Sequence, residues 1–136
     1  MISEKTVMRV ARPTDHLSVI TRMYIDGLGF VLLSQFADHD GIDGAIIGHP
    51  QHNYHLEFTQ HAGSHVDSYA CKAPSQDHLL VFYLPDEAEW RRACENMQQA
   101  GFLPVRSANP FWDVAGKTFE DADGYRVVLQ NRAWSL

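Results

Sequence analysis

The chain has 136 residues, 45% of them hydrophobic, which suits one globular domain with its own core. Its formal charge of −6, with the eleven Lys and Arg scattered, excludes a surface built for nucleic-acid phosphates. No apolar run nears the ~20 residues that cross a bilayer, and Met1 to Thr6 lacks the basic-then-apolar order of a secretory leader, so neither a membrane partner nor export is expected.

In chain order, Val7 to Arg12 reads as a β-strand closed by Pro13, with Thr14 or Asp15 as a helix N-cap. Leu17, Ile20, Tyr24 and Leu28 recur at helical spacing, and Gly27 and Gly29 stop the helix. Phe30 to Phe36 reads as a strand, Asp38 to Gly41 as a turn, and Gly44 to Gly48 as a second strand. After the turn at Pro50 to Asn53, Tyr54 to Gln60 alternates polar and apolar residues as a two-faced strand should. His61 to Gln76 is a connector, long for a compact domain.

The same order then returns. Leu79 to Leu84 reads as a strand. Asp86 opens a helix, with Glu89 placed to complete a capping box and Trp90, Ala93, Cys94 and Met97 forming its apolar stripe up to Gly101. Leu103 to Arg106 is a strand placed at an edge by Pro104. Asn109 to Asp113 is an aromatic loop. Lys117 to Glu120 and Tyr125 to Gln130 are strands joined by the Asp121 to Gly124 turn. Each half is thus strand, helix, three strands, and a Gly-Phe step follows each helix (Gly29-Phe30, Gly101-Phe102), which points to internal duplication. The expected class is α+β, with two tandem βαβββ units at about 7–60 and 77–131, one helix over each sheet, and a groove on the uncovered faces.

Seven of the eight histidines lie between His39 and His78. Those in the loop-rich stretch, His49, His52, His61 and His65, are expected to be mostly solvated. Cys71 and Cys94 fit a pair of free thiols in a cytoplasmic protein more simply than a disulfide. There is no Walker-type phosphate loop, no G-x-G-x-x-G after a strand and no G-x-S-x-G.

Asp15 through Leu28-Gly29-Phe30 resembles the opening helix of the vicinal-oxygen-chelate superfamily, the glyoxalase, bleomycin-resistance and extradiol-dioxygenase relatives. Asp121-Ala122-Asp123-Gly124-Tyr125 to Leu129 resembles its closing turn and last strand, with Ala122 where Pro is usual. Leu56-Glu57-Phe58 looks like the end of the first repeat and Asp77-His78-Leu79 like the start of the second. The resemblance covers nearly the whole chain. It implies four metal-holding positions, which fall on Arg9, Glu57, His78 and Val128. A guanidinium offers no lone pair and valine no donor atom, so the metal set is half missing.

Glu57 and His78 remain suitable as ligands of a divalent metal, and His55, two residues from Glu57 on one strand face, is a third candidate. The favoured reading is an Arg9–Glu57 ion pair in place of a metal, with no cofactor expected. Strand parity sends Val7 and Ala11 into the groove with Arg9, and Thr59 with Glu57. It sends Leu80 and Phe82 in with His78, and Arg126 and Gln130 with Val128. Phe111 and Trp112 are read as stacking on a ligand or closing over the groove, or equally as packing or a dimer contact. Arg12 is read as a surface or helix-end residue.

The resemblance implies a homodimer, and a protein of bleomycin-resistance type that binds a small organic ligand. The alternative is a metal-dependent lyase, isomerase or dioxygenase of glyoxalase type, with Glu57 as ligand or base.

Overall fold

A computed structural model describes residues 1–62 and 71–136, so the expectations for Gly63, Ser64, His65 and Ser68 lie outside the described residues. The first half comprises β1 (Met8–Pro13), α1 (Leu17–Leu28), β2 (Val31–His39), β3 (Ile42–Gly48) and β4 (Tyr54–His61). The second comprises β5 (Leu79–Tyr83), α2 (Glu87–Gln99), β6 (Leu103–Val105), α3 (Phe111–Val114), β7 (Gly116–Glu120) and β8 (Arg126–Gln130). The sheets run β1-β4-β3-β2 and β5-β8-β7-β6, so the halves share one topology. In each, the first strand lies parallel to the last and the other pairs are antiparallel. This is the α+β pair of βαβββ units that the repeated element order predicts.

Local chemistry accounts for most boundaries. Asp40 and Gly41, at φ 53° and 79°, make the two-residue turn between β2 and β3, and both left-handed positions match the twist of a hairpin. Asp86 caps α2, its carboxylate accepting the Glu89 N–H at 2.8 Å. Pro104 sits on β6 at the sheet edge, where its missing N–H costs no ladder bond.

The start of α1 differs from expectation. Neither Thr14 nor Asp15 caps it. The Thr14 N–H is bonded to the Thr59 carbonyl at 2.8 Å, which carries the β1–β4 ladder one residue further and delays the turn. The Thr14 hydroxyl then accepts the His16 N–H, and the Gln60 side chain accepts the Leu17 N–H, each at 3.0 Å. The cap is therefore supplied from β4.

One core joins the halves. Ile20 and Tyr24 of α1, Phe58 of β4, Met97 of α2, Phe119 of β7 and Leu129 of β8 belong to a single buried cluster. Tyr24 alone touches Phe58 (5.0 Å between ring centres) and Phe102 (5.2 Å).

Candidate functional site

Partners in a strand ladder share a face, so the registers decide which side chains reach the groove. In the first sheet Arg9 pairs with His55 and Ala11 with Glu57, opposite the face that carries Leu56 and Phe58 into the core. Arg9, His55 and Glu57 are brought together on this open face. The Arg9 Nε–H donates to His55 Nε2 at 2.9 Å, and Nη1 lies 3.5 Å from Glu57 Oε2. The Arg9 side chain is 46% exposed and that of Glu57 16%. Because His55 Nε2 accepts from Arg9, the imidazole proton sits on Nδ1.

The second sheet departs from the sequence reading. Leu80 pairs with Val127 and Phe82 with Leu129, so Leu80 and Phe82 face the core. Phe82 packs on Phe30 and Tyr54, each at 6.2 Å between ring centres, and is not a groove residue. The groove face of β5 carries Leu79, Val81 and Tyr83, one residue out of phase with the expectation. The parity was counted from His78, which precedes the strand. His78 is exposed, and its Nδ1 lies 2.8 Å from the Ser75 hydroxyl in a turn.

Arg126, Val128 and Gln130 do share the groove face with Thr118 and Glu120, but that face is covered. Residues 106–115, which include α3 where an irregular loop was expected, lie across it. The Gln130 amide donates to the Trp112 carbonyl at 3.0 Å, and the Arg126 guanidinium to the Arg106 carbonyl at 3.3 Å and to Glu120 at 3.0 Å. The Ser107 and Thr118 hydroxyls are bonded. Val128, Thr118 and Gln130 are accordingly at most 1% exposed. Phe111 and Trp112 pack edge to face at 5.1 Å, with Phe111 left exposed.

Between β1 and β5 lies a cleft of about 300 Å³. Val10, Ala11, Leu79 and Leu80 form its apolar walls, and His78 and Arg126 are at its polar margin. Arg9, His55 and Glu57 are not among its lining residues; Ala11, which pairs with Glu57, links the cleft to their open face.

At the closed end stands a feature that sequence reading missed. Arg12 is largely withdrawn from the surface, its side chain 12% exposed. Its guanidinium lies 4.0 Å from the Tyr125 ring centre and 4.7 Å from that of Phe58. It pairs with Asp121 at 2.7 Å and Asp123 at 2.8 Å. Asp121 also accepts the Tyr24 hydroxyl at 2.6 Å and the N–H groups of Asp123 and Tyr125. Burial, reinforced by the Asp121 charge, lifts the Tyr24 phenol well above its ordinary range. The available signal was the Asp-x-Asp-Gly turn, whose two carboxylates need a cationic partner if buried.

His52 is exposed as expected, and His49 is half-buried. His52 stacks on Tyr54 at 5.1 Å, and His49 meets the Phe30 edge at 5.6 Å. His61 is exposed as expected. Cys71 and Cys94 are free thiols, as expected.

The donors do not fit the metal that the resemblance implies. The His55 lone pair and the Glu57 carboxylate are both engaged by Arg9, and Val128 is buried without a donor atom. Among the described residues no group of three or more His, Cys, Asp or Glu converges as a metal site.

Comparison with known proteins gives the chain its relatives. Residues 8–59 match the YycE-like N-terminal domain and residues 77–131 the YycE-like C-terminal domain. The uncharacterized protein YycE of Bacillus subtilis is 40% identical over 124 residues, 91% of this chain and 86% of that protein. The crystal structure of a YycE protein of unknown function from Bacillus subtilis superposes with a TM-score of 0.85 at 38% identity, covering 98% of this chain and 93% of that one. The fosfomycin resistance protein FosX of Mesorhizobium loti shares the fold, with a TM-score of 0.65 at 14% identity over 96% of this chain and 93% of its own. The antibiotic binding protein TnmS3 of Streptomyces sp. CB03234 does too, with a TM-score of 0.61 at 16% identity over 96% and 98%. By sequence match, repeated topology and fold, the chain belongs to the YycE-like family of the vicinal-oxygen-chelate superfamily.

Proposed function

We propose that the protein is a cytoplasmic small-molecule-binding protein of bleomycin-resistance type, working as a homodimer and without a resident metal. The observation that carries this reading is the cleft between β1 and β5, walled by apolar side chains with His78 and Arg126 at its margin. Such a shape holds the apolar body of an organic ligand while a few polar groups orient it. The antibiotic-binding role belongs to TnmS3; its shared fold supports the class of function and not the ligand. A dimer is supported by β1, an edge strand whose Met8 and Val10 are exposed.

The test is a thermal-shift screen of small organic compounds, followed by calorimetry on two variants. Ala11→Phe fills the cleft from an exposed position and is expected to abolish binding with the fold intact. Glu57→Gln is expected to weaken binding. A screen with no stabilising compound, or hits that bind Ala11→Phe as well as the wild type, would remove the cleft as the site.

A further inference from the structure

We infer a second small-molecule site, on the helix side of the molecule, that takes a planar aromatic cation of the amidine or aromatic-amine class. It is a notch of about 530 Å³ between the end of α1, the β3–β4 turn and the first turns of α2. None of its lining residues lines the β1–β5 cleft, so it stands or falls independently of the proposed function.

The base of the notch is aromatic. Phe30, Tyr54 and Phe82 are mutually packed, with ring centres 6.2 to 6.3 Å apart. His52 lies nearly parallel to Tyr54, at 20°, and His49 stands perpendicular to His52 with centres 4.8 Å apart. These rings are held by one another before any ligand arrives, so little ordering cost remains for binding. Stacked and edge-on rings form a slot suited to a flat ligand.

The rim is polar and idle. Glu89 and Asn96 of α2 line the notch, and among the described residues neither side chain makes a hydrogen bond or ion pair. The backbone N–H of Glu89 is the part that Asp86 caps, which leaves the carboxylate free. The guanidinium groups at the β1–β5 cleft are engaged instead, Arg12 by Asp121 and Arg126 by Glu120. Among the described residues, Glu89 is the one lining carboxylate and no Lys or Arg lines the notch. A carboxylate sharing a notch with aromatic rings favours a cation, which the ring quadrupoles also attract. The chain's net charge of −6 adds attraction at a distance.

Benzamidine is the probe, with benzoate as its counterpart of like shape and opposite charge. Titration of the full chain, followed by amide and imidazole NMR shifts, is expected to show saturable benzamidine binding with shifts at His49 and His52. Glu89→Gln keeps a residue suited to the third position of a capping box and is expected to weaken binding at least about fivefold through loss of a charge-assisted bond. His52→Ala is expected to weaken it as well, Ala11→Phe to leave it unchanged, and benzoate not to bind. Absence of saturable benzamidine binding, equal affinity in Glu89→Gln, or benzoate binding of the same strength would overturn the inference.

Discussion

At the residue scale, Arg12 does the most structural work. Its guanidinium leaves repeat one and is neutralised wholly by carboxylates of repeat two, with aromatic faces on it from both. Its side chain is 12% exposed and that of Asp121 is fully buried. Arg12→Met is therefore expected to lower unfolding free energy by about 3–5 kcal/mol, because two buried carboxylates lose their cation. Urea unfolding measures this, and a change within the range of an ordinary surface substitution would assign Arg12 a lesser part.

Tyr24 gives the pH signature of the same cluster. Its folded pKa is raised well above the ordinary 10.0, so its contribution is complete below that value and is lost as pH rises toward the folded one. Tyr24→Phe removes a bond to a charged acceptor, worth about 1.5–3 kcal/mol near neutrality. The stability gap between wild type and Tyr24→Phe is expected to shrink from pH 9 to pH 11, read by denaturant midpoints across about two pH units. A constant gap would mean that the phenol ionises as easily in the fold as in the unfolded chain.

At the element scale, parity and cover decide what the groove contains. Leu56, Glu57 and Phe58 alternate so cleanly that the faces of β4 were legible, and β1 followed by its parallel pairing. The β5 faces were not legible, because all of Leu79 to Phe82 is apolar and alternation carries no sign there. His78, used as the marker, stands outside the strand. The α3 cover was also hidden. A four-residue helix of Phe111 to Val114 has too few turns for a periodic pattern.

Gly116 tests the cover directly. A Cβ there would collide with the Gln130 amide and stand 2.7 Å from the Leu129 carbonyl, which is backbone and cannot swing away. Gly116→Ala is expected to cost about 1–3 kcal/mol by overpacking and to disturb the Gln130–Trp112 bond. Thermal unfolding, with tryptophan fluorescence as the local reporter, would show both effects. An unchanged midpoint would mean that residues 106–115 can shift without loss.

At the scale of the whole molecule, duplication was the most legible feature, since element order survives errors of a residue or two at each boundary. What joins the halves was less so. The core contacts of Tyr24 with Phe102 and the Arg12 cluster pair residues far apart in the chain, and periodicity is blind to such pairs. The proposed assembly through the exposed β1 edge is checked by light scattering, where a dimer is expected and a clean monomer would contradict it.

We propose that this fold keeps the cleft while its metal positions have been given to other work. Arg9 occupies one position and engages Glu57 at another, and buried Val128 occupies a third. Elemental analysis of protein purified without chelator tests this most directly. Transition metal far below one equivalent per chain is the expected result, and about one tightly held equivalent per chain would contradict it, because metal bound that firmly requires a complete ligand set.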